Sequence, residues 1–383
     1  MKAIIVGAGI GGLTTAIALQ QAGIDFEIYE AAPELKPVGA GIVMASNAMQ
    51  VFQRLGIERK IINAGLEIVN AYGVDQNFKL ISGLRVKEKI TSRYGIGSYA
   101  FHRGQLQQVL LGEIDERKIH LNKKLTALTH QSNQKVTLSF EDGFVTEAYL
   151  VIGADGIKSA VRRNIFGDLP LRYSGQTCWR GMTKFTLPSG KQFNSYEMWG
   201  KQKGLRFGFV PTAPDEVYYF TTFFTNANGK DNGQLKEGLL ENYSCFGQLA
   251  KQIIEATPRE NIIRSDIFDL KPITKWWNGR VALLGDAAHA TTPNLGQGGC
   301  QAVEDAYVIA KCLKEKSSIE KAFEQYQNIR YEKALHVVNM SWSFGKMTNI
   351  GNPILQSLRN GFMRIMPESM AIKQLDKILK LNY

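Results

Sequence analysis

The N-terminal stretch KAIIVGAGIGG constrains the fold more than any other part of the sequence. A short apolar run ends in Gly7-x-Gly9-x-x-Gly12, and an apolar helical pattern continues to Gly23. In such a motif the first glycine permits the tight turn from strand to helix. The second admits a pyrophosphate to the backbone, and the third lets helix and strand pack closely. The pattern predicts a βαβ unit in which the N-terminus of the helix binds a dinucleotide.

The second strand of this unit supports the prediction. The segment DFEIYEAA reaches Glu30, 18 residues after Gly12. A carboxylate at this place accepts hydrogen bonds from the hydroxyls of an adenosine ribose. Because the first apolar run breaks into glycines at once, we expect a strand at the N-terminus and not a signal peptide.

A second glycine motif, GADGIKSAVRR, covers Gly153–Arg163 and follows the apolar run YLVI. It predicts another turn from a strand into a helix. Asp155 in this turn is explained either as a solvated turn residue or as a contact to a bound dinucleotide. The motif alone leaves both explanations open.

The third motif, GDAAHATTPNLGQGGCQAVEDA, covers Gly285–Ala306. The preceding strand RVALLGD delivers Asp286 at its carboxyl end, where open α/β sheets bind ligands. A carboxylate there can hold the hydroxyls of a sugar-like chain. The segment PNLGQGG then opens a helix, and backbone N–H groups there suit an anion or a ring that becomes anionic when reduced.

The third motif also contains side chains that could suggest a metal or a nucleophile. Asp286 and His289 are three residues apart in a loop, and the adjacent helical residues Glu304 and Asp305 are not expected to face one point. Cys300 is expected to be a small buried side chain, and His289 a packed loop residue. We therefore predict neither a metal site nor a Cys–His pair.

Length and composition are those of a globular protein. The 383 residues suffice for two joined domains, and 44% of them are hydrophobic and 21% charged. The four cysteines have no CxxC spacing, so we expect no zinc ribbon and no disulfide framework, as in a reducing cytoplasm. No apolar run of about 18 residues is present, so no membrane-spanning helix is predicted.

The chain carries a net charge of +11, with 46 Lys and Arg against 35 Asp and Glu. This excess fits a well-solvated surface, and it also fits attraction of anions such as a nicotinamide dinucleotide or an acidic substrate. The basic residues form no stripe interleaved with aromatic residues, so nucleic acid is not a predicted partner.

The middle of the chain has a different pattern. From about Tyr173 to Asp266, segments such as GMTKFTL and EVYYFTTFF are rich in β-branched and aromatic residues, which predicts a separate sheet. The fold class is therefore mixed α/β with α+β character. We expect a discontinuous Rossmann-like nucleotide-binding domain (1–70, 98–172 and 267–345), an inserted substrate-binding sheet domain (71–97 and 173–266) and C-terminal helices (346–383).

Together, GAGIGG, GADGIKSAVR and GDAAHATTPNLGQGG resemble the FAD-dependent aromatic hydroxylases, the single-component flavoprotein monooxygenases. The three motifs stand in the family's order, and the resemblance covers nearly the whole chain. LRYSGQTCWRG and EMWGKQKGLRFGF look like the alkyl-hydroxyquinolone monooxygenases. GIDFEIYEAAPELKPVGAGI looks like the bacterial FAD-dependent urate hydroxylase.

The resemblance implies a non-covalently bound FAD, with NAD(P)H as the co-substrate. In the family, reduced FAD takes up O₂ at its C4a position, and the distal oxygen of the hydroperoxide passes to an electron-rich aromatic ring. The family's cofactor-binding positions correspond here to Gly7, Gly9, Gly11, Gly12, Glu30, Ala31, Val43, Arg103, Leu125, Asp155, Asp286, Pro293, Leu295, Gly296, Gln297, Gly298 and Gly299.

Two residues of the sheet domain are implied to address the substrate. Alignment on the proline of RFGFVPTAPDEVYY places the arginine and tyrosine of the urate branch at Arg206 and Tyr218. Val43 stands where that branch has a serine near the flavin. We also expect Trp179, Trp199 and Phe207, together with Tyr218, to form walls of the pocket.

Other functions of the same fold stay open at this point. An epoxidase, an antibiotic-inactivating monooxygenase and a halogenase share the architecture, although no WxWxIP segment typical of halogenases is present. A non-catalytic relative that binds a lipid is a further alternative, but such a protein would not need three intact cofactor motifs. We expect the chain to act as a monomer or a homodimer.

The C-terminal segment NPILQSLRNGFMRIMPESM predicts an amphipathic helix that ends at Pro367, followed by a short helix in AIKQLDKILKL. We expect its apolar stripe to pack against the body and help close the substrate side. The alternative is peripheral contact with a membrane surface. The stripe consists of Ile354, Leu355, Leu358, Phe362, Ile365 and Met366.

Overall fold

The computed structural model describes residues 2–36, 39–131, 134–231 and 233–383. The strands in these ranges, in chain order, are β1 (Lys2–Val6), β2 (Asp25–Tyr29), β3 (Gly41–Met44), β4 (Gly65–Glu67), β5 (Asn70–Asp75), β6 (Leu80–Leu84), β7 (Tyr99–His102), β8 (Ile119–His120), β9 (Leu125–His130), β10 (Val136–Phe140), β11 (Val145–Ala148), β12 (Leu150–Gly153), β13 (Leu171–Lys184), β14 (Asn194–Trp199), β15 (Arg206–Ala213), β16 (Glu216–Phe224), β17 (Ile262–Leu270), β18 (Trp277–Asn278) and β19 (Val281–Leu283).

The α-helices of the described ranges, in chain order, are α1 (Ile10–Gln21), α2 (Ser46–Arg54), α3 (Glu58–Asn63), α4 (Ser92–Tyr94), α5 (Arg103–Leu111), α6 (Ala160–Phe166), α7 (Leu235–Asn242), α8 (Gly247–Ala256), α9 (Asp286–His289), α10 (Gly298–Glu315), α11 (Ile319–Thr348), α12 (Pro353–Ile365) and α13 (Glu368–Leu379). A π-helical turn covers Lys87–Thr91, and a 3₁₀ turn covers Pro293–Leu295.

A six-stranded sheet, called here the central sheet, has the order β18-β19-β12-β1-β2-β8. All pairs in it are parallel except β18 with β19. Parallel strands that are covered on both faces are buried throughout, which explains why β1 and β12 are apolar at nearly every position. The carboxyl ends of β1, β12 and β19 therefore lie side by side at one edge and bring the three glycine motifs together.

A seven-stranded sheet, called here the large sheet, has the order β17-β13-β16-β15-β14-β5-β6. It is antiparallel except for the parallel pair β14 and β5. Side chains alternate between its two faces. One face packs against α7 and α8 around Phe207, Tyr219 and Phe246. The opposite face, called here the cleft face, carries Arg206 and Tyr218 and is turned toward the central sheet.

The remaining strands form two smaller sheets. β11-β10-β9 is an antiparallel meander, and β3-β7-β4 lies between the central and large sheets. The mixed α/β fold predicted from the sequence is confirmed. Helical residues Lys87–Tyr94 and the helices α7 and α8 were not predicted, because they lie within segments that were assigned to strands as a whole.

The C-terminal helices form at the predicted places, but the expected packing of the α12 stripe is wrong. Ile354, Leu358 and Ile365 are exposed, whereas Gln356 and Arg359 are buried. The polar side of α12 docks because its side chains reach backbone carbonyl groups of the body. In the described part of the chain, no helix is both long and apolar enough to cross a membrane.

Candidate functional site

The first glycine turn has the geometry that the motif predicts. Gly7 has φ +105°, and a Cβ added to it would lie 2.6 Å from the carbonyl oxygen of Ala154 in the second motif. A Cβ on Gly12 would lie 2.0 Å from the Gly7 carbonyl oxygen. A Cβ on Gly9 would meet nothing within 4 Å. The turn is therefore closed on the protein side and open on the side where a pyrophosphate would approach.

Glu30 fixes this turn from the next strand. The Ala8 N–H donates to its Oε2 at 2.7 Å, and the Ala32 N–H donates to its Oε1 at 2.9 Å. Each carboxylate oxygen keeps a second lone pair, so the group can still accept a hydroxyl donor. Ala31 lies beside it and is exposed. The helix α1 begins at Gly9 without a side-chain cap and has no acidic residue in its first turn.

The arginine implied by the resemblance begins α5 beside the same turn. Gln107 of α5 donates from Nε2 to the Ala8 carbonyl oxygen at 2.8 Å, which ties the helix to the glycine turn. Arg103 is exposed, and its backbone N–H donates to Ala40. Leu125, in contrast, buries its side chain in the main core, so only its backbone could contact a cofactor.

Asp155 has a clear structural role in the second motif. Its Oδ1 accepts from the Ser159 hydroxyl at 2.5 Å, and its Oδ2 accepts from the Val161 N–H at 3.0 Å. These bonds hold the first turn of α6. Burial raises the pKa of the Asp155 carboxyl above its usual range, although these donors oppose the shift. Arg162, on the same helix, donates to the Ala287 carbonyl oxygen at 2.9 Å and links the second motif to the third.

Asp286 begins α9 at the edge where β19 ends. Its side chain is accessible to solvent, yet surrounding protein desolvates it and raises its pKa above the usual range. Positive charge on His289, Arg103 and Arg162 partly opposes this shift. An accessible carboxylate that is enclosed in this way lies in a cleft, where it can accept hydrogen bonds from hydroxyl groups.

The loop after α9 lies across the same cleft. Gly296 adopts φ +61°, and a Cβ on Gly298 would lie 3.6 Å from the Asp286 Oδ1. A Cβ on Gly299 would lie about 3 Å from the side chains of Ile42 and Met44, so β3 packs closely on the start of α10. Pro293 is exposed, and Leu295 and Val43 are half-buried beside the same small apolar cluster.

A buried polar network supports this loop from beneath. The side chain of Gln297 accepts from Asn47 Nδ2 at 3.0 Å and from Gln301 Nε2 at 3.0 Å. Arg330 is fully buried and donates to Gln301 Oε1 at 2.6 Å. Asn47 also donates to Glu304 at 2.7 Å. These side chains are buried and satisfy one another's hydrogen-bonding groups, so each depends on the others.

Glu304 and Asp305 do not converge on one point, but they share one partner, Arg330. Arg330 donates to Glu304 from one terminal nitrogen at 2.6 Å and to Asp305 from Nε at 2.8 Å. The guanidinium is a broad fork, so adjacent carboxylates reach different nitrogens of it. Asp305 also accepts from the Gly285 N–H and pairs with His289. Although burial alone would raise it, His289 and Arg330 lower the Asp305 pKa.

His289 is packed, as predicted, and it belongs to this network. Among the described residues no cluster of histidine, cysteine and carboxylate side chains could hold a metal ion. Cys300 is buried, and burial raises the pKa of its thiol to about 12. A thiol of this kind stays protonated at neutral pH and is a poor nucleophile.

Arg206 is almost fully buried and has three partners. It donates to Thr222 Oγ1 at 3.2 Å, to Glu197 Oε1 at 3.0 Å and to Asn294 Oδ1 at 2.8 Å. Asn294 belongs to the loop that lies across the cleft. This bond joins the large sheet directly to that loop, and sequence reasoning missed it because the two residues are 88 positions apart.

Tyr218 stands on the cleft face beside β3. A Cβ added to Gly41 would lie 2.3 Å from the Tyr218 ring, so the ring covers that glycine. Phe220 covers Gly208 in the same manner. Burial raises the pKa of the Tyr218 hydroxyl above its usual range, against the influence of the nearby Arg180 guanidinium. The hydroxyl is therefore neutral and able to donate a hydrogen bond.

Two of the four aromatic residues expected to form pocket walls lie on the other side of the large sheet. Phe207 stacks on Tyr219, and Trp179 packs against the same cluster beside α7 and α8. The strand period of two places Phe207 on the face opposite to its neighbour Arg206. Trp179 shares the face of Phe207, because both residues pair with Thr221. Trp199 stands opposite Arg206 in the pairing of β14 with β15 and shares the cleft face.

The residues at the cleft fit a flavin dinucleotide. The open side of Gly9, the uncapped start of α1 and the accessible Arg103 suit a pyrophosphate, and Glu30 and Asp286 offer acceptors to hydroxyl groups. The family model described as "FAD binding domain" matches residues 1–341. The chain belongs to this FAD-binding family. It is a FAD-dependent monooxygenase, as its curated relatives are.

Several of these relatives span nearly the whole chain. The enzyme is 38% identical to aurachin C monooxygenase/isomerase of Stigmatella aurantiaca, over 96% of this chain and 94% of the relative. It is 32% identical to 2-heptyl-3-hydroxy-4(1H)-quinolone synthase of Pseudomonas aeruginosa, over 96% and 95%. The crystal structure of Klebsiella pneumoniae HpxO with FAD and uric acid matches with a TM-score of 0.90 and 27% identity, over 99% and 96% of the two chains.

These matches confirm the family and the two branches that the sequence motifs resembled. They also confirm FAD as the cofactor and monooxygenation as the reaction.

Proposed function

We propose that this FAD-dependent monooxygenase hydroxylates an electron-rich bicyclic heteroaromatic compound of the 4-quinolone type, with O₂ and NAD(P)H as co-substrates. The observation that carries the proposal is the joining of the glycine cleft to the cleft face of the large sheet through Arg206 and Asn294. Similarity to 2-heptyl-3-hydroxy-4(1H)-quinolone synthase over 96% of the chain supports the substrate class.

Different residues hold different parts of the dinucleotide. We propose that the α1 N-terminus and Arg103 hold the pyrophosphate, that Glu30 accepts from the adenosine ribose, and that Asp286 accepts from the ribityl chain. Backbone N–H groups of the loop Pro293–Gly299 would face the ring. Bound FAD supplies the redox chemistry, taking electrons from reduced nicotinamide and activating O₂.

The residues on the substrate side orient the substrate and exclude water. Tyr218 can donate its hydroxyl hydrogen to a ring oxygen, because its pKa lies above the usual range and the group is neutral. Arg206 is almost fully buried and donates to Glu197 and Asn294, so we assign it to fixing these two side chains beside the substrate. Phe220, Trp199 and Val210 supply an apolar wall that limits water.

Urate-type purines are the second candidate. The similarity to HpxO with uric acid and the match at Arg206 and Tyr218 favour it. Val43, half-buried beside Leu295, offers no hydroxyl to a polar purine. Its apolar surroundings therefore favour the quinolone class over the purine class.

We further propose the domain division expected from the sequence, with segments 1–70, 98–172 and 267–345 around FAD and segments 71–97 and 173–266 over the substrate. A cytoplasmic location fits the four free cysteines of the chain.

The test is an assay of NAD(P)H oxidation with quinolones, purines and phenols, scored for hydroxylated product and for hydrogen peroxide. A quinolone should give product in near-equal yield with the nicotinamide oxidised. Peroxide alone with every quinolone, but product with urate, would replace the first candidate by the second.

A further inference from the structure

Helix α12 presents its apolar side to solvent. Ile354 is 71% exposed, Leu355 52%, Leu358 64%, Phe362 62% and Ile365 78%. At about 100° per residue these five positions fall within one arc of roughly 100°. We call this arc the α12 face. Contiguous apolar surface of this kind is uncommon on a protein unless something covers it.

The orientation of α12 is set by its opposite side. Gln356 donates to the carbonyl oxygens of Lys201 and Ile350 at 2.8 and 2.7 Å. Arg359 donates to the Met347 carbonyl oxygen at 3.1 Å, and its guanidinium lies 4.7 Å from the centre of the Trp199 ring. These bonds hold the polar side inward, so the apolar side is the one left outward.

Two further exposed apolar residues lie near the C-terminal end of α12. Arg364 donates from Nε to the Leu80 carbonyl oxygen at 2.8 Å and brings Leu80 beside the end of α12. Leu80 is 52% exposed, and Met370 at the start of α13 is 53% exposed. Leu80 and Met370 therefore add exposed apolar side chains near the C-terminal end of α12.

Basic side chains lie beside the start of α12 and along the segment that carries it. Lys201 and Lys203 are exposed and lie against the segment that leads into α12. Residues 346–383 contain six basic and two acidic side chains, so their net charge is +4. Both acidic residues of this segment, Glu368 and Asp376, are paired with arginines of the body. The charge around the α12 face is therefore positive.

We propose that the α12 face docks this enzyme on an anionic membrane surface. An amphipathic helix with an apolar side and a basic border lies in the interface plane of a bilayer, and anionic lipid adds electrostatic attraction. A second copy of the chain fits this surface less well, because its basic border would meet an identical basic border.

The position of the face has a consequence for substrate entry, which rests on the proposed function. Arg359 of α12 covers Trp199, and Trp199 stands opposite Arg206 on the cleft face. Docking would bring this edge of the large sheet close to the lipid headgroups. A quinolone with an alkyl chain partitions into lipid, and the docked enzyme would take it up from there.

The experiment is co-sedimentation of the FAD-loaded enzyme with two kinds of vesicle, phosphatidylcholine alone and phosphatidylcholine with roughly one-third phosphatidylglycerol. The enzyme should bind the anionic vesicles, and added salt should weaken binding. Phe362→Glu should lower the partition coefficient about tenfold or more, because it places a charge in the inserted surface.

Phe193→Glu is the matched control. Phe193 is 51% exposed in the turn at the opposite end of β14 from Trp199, so this variant should bind vesicles like the unaltered enzyme. Both variants should retain FAD and oxidise NAD(P)H without vesicles, which separates docking from the proposed reaction.

Equal vesicle binding by Phe362→Glu and the unaltered enzyme would overturn the proposal, as would absence of binding to anionic vesicles. Light scattering tests whether the α12 face forms a dimer instead. A dimer in the vesicle-free enzyme that Phe362→Glu converts to a monomer would assign the α12 face to a second copy instead.

Discussion

The two sides of the cleft differ in whether backbone or side chains line them. The cofactor side consists mainly of backbone, namely the turns at Gly7–Gly12 and Gly296–Gly299 and the bare start of α1. The substrate side consists of side chains from β13 to β16 and of one asparagine from the loop. Backbone donors serve any member of the family, whereas side chains can change with the substrate. From this difference we propose that the first side binds the cofactor and that the second side determines specificity.

On the cofactor side, the stability of the first glycine turn depends on its close backbone packing. Gly12→Ala places a Cβ 2.0 Å from the Gly7 carbonyl oxygen, and the backbone there cannot move without opening the turn. We expect the free energy of unfolding of the cofactor-free protein to fall by about 3 kcal/mol. Denaturant unfolding measures it.

Gly9→Ala provides the comparison within the same turn. Its Cβ meets no protein atom within 4 Å, and φ of −73° suits alanine. The cofactor-free protein should keep its stability, but the Cβ occupies the side open to a pyrophosphate, so FAD affinity should fall about tenfold or more. Equal stability loss in both variants would contradict the division between a closed and an open side.

The next effect concerns the network beneath the loop. Arg330→Met leaves Glu304 and Asp305 buried without their guanidinium partner, so the free energy of unfolding should fall by about 3–5 kcal/mol. Thermal unfolding measures it, with the exposed Arg117→Met as the control. An unchanged melting temperature in Arg330→Met would show that the network does not support the loop.

Asp286→Asn separates stability from cofactor binding. The folded-state pKa of Asp286 is raised, so its ionised form disfavours the folded state above the ordinary value of 3.8. The cofactor-free variant should therefore be more stable than the unaltered protein at neutral pH, and the difference should vanish at strongly acidic pH. FAD retention after dialysis should nevertheless decrease. Full retention of FAD would show that Asp286 does not bind the cofactor.

The smallest expected effect lies on the substrate side. Arg206→Gln removes the charged donor to Asn294 and Glu197, and the variant should still bind FAD and oxidise NAD(P)H. The fraction of oxidised NAD(P)H that yields product should fall about tenfold. Asn294→Ala breaks the same bond from the loop side and should give the same uncoupling. Additive effects in the double variant would show that the bond does not carry the coupling.

The same comparison explains which features could be predicted from the sequence. Gly7, Gly12 and Glu30 act through local turns and one neighbouring strand, so their spacing predicts the structure. Asp286 follows a short buried strand and is equally local. The bond from Arg206 to Asn294 joins positions 88 residues apart and depends on how the large sheet meets the loop. Such contacts leave no periodic pattern in the sequence.

Helix α12 illustrates a further limit. Its apolar spacing correctly predicts a helix but gives no direction, because an amphipathic helix can turn either side inward. Gln356 and Arg359 determine which side faces inward, because they donate to carbonyl groups of the body. Phe207 shows the related case of a strand, where the face is fixed only once the pairing of the sheet is known.

The most direct test of the central claim is the isotopic balance of one turnover. The FAD-loaded enzyme and Arg206→Gln are supplied with ¹⁸O₂, NAD(P)H and a 4-quinolone at equal FAD occupancy, and product and peroxide are measured. We expect one ¹⁸O atom in the product and near-complete coupling in the unaltered enzyme. The variant should consume NAD(P)H but release mainly peroxide. Unlabelled product, or equal coupling in the two proteins, would contradict the assignment of oxygen transfer to the flavin and of substrate positioning to the large sheet.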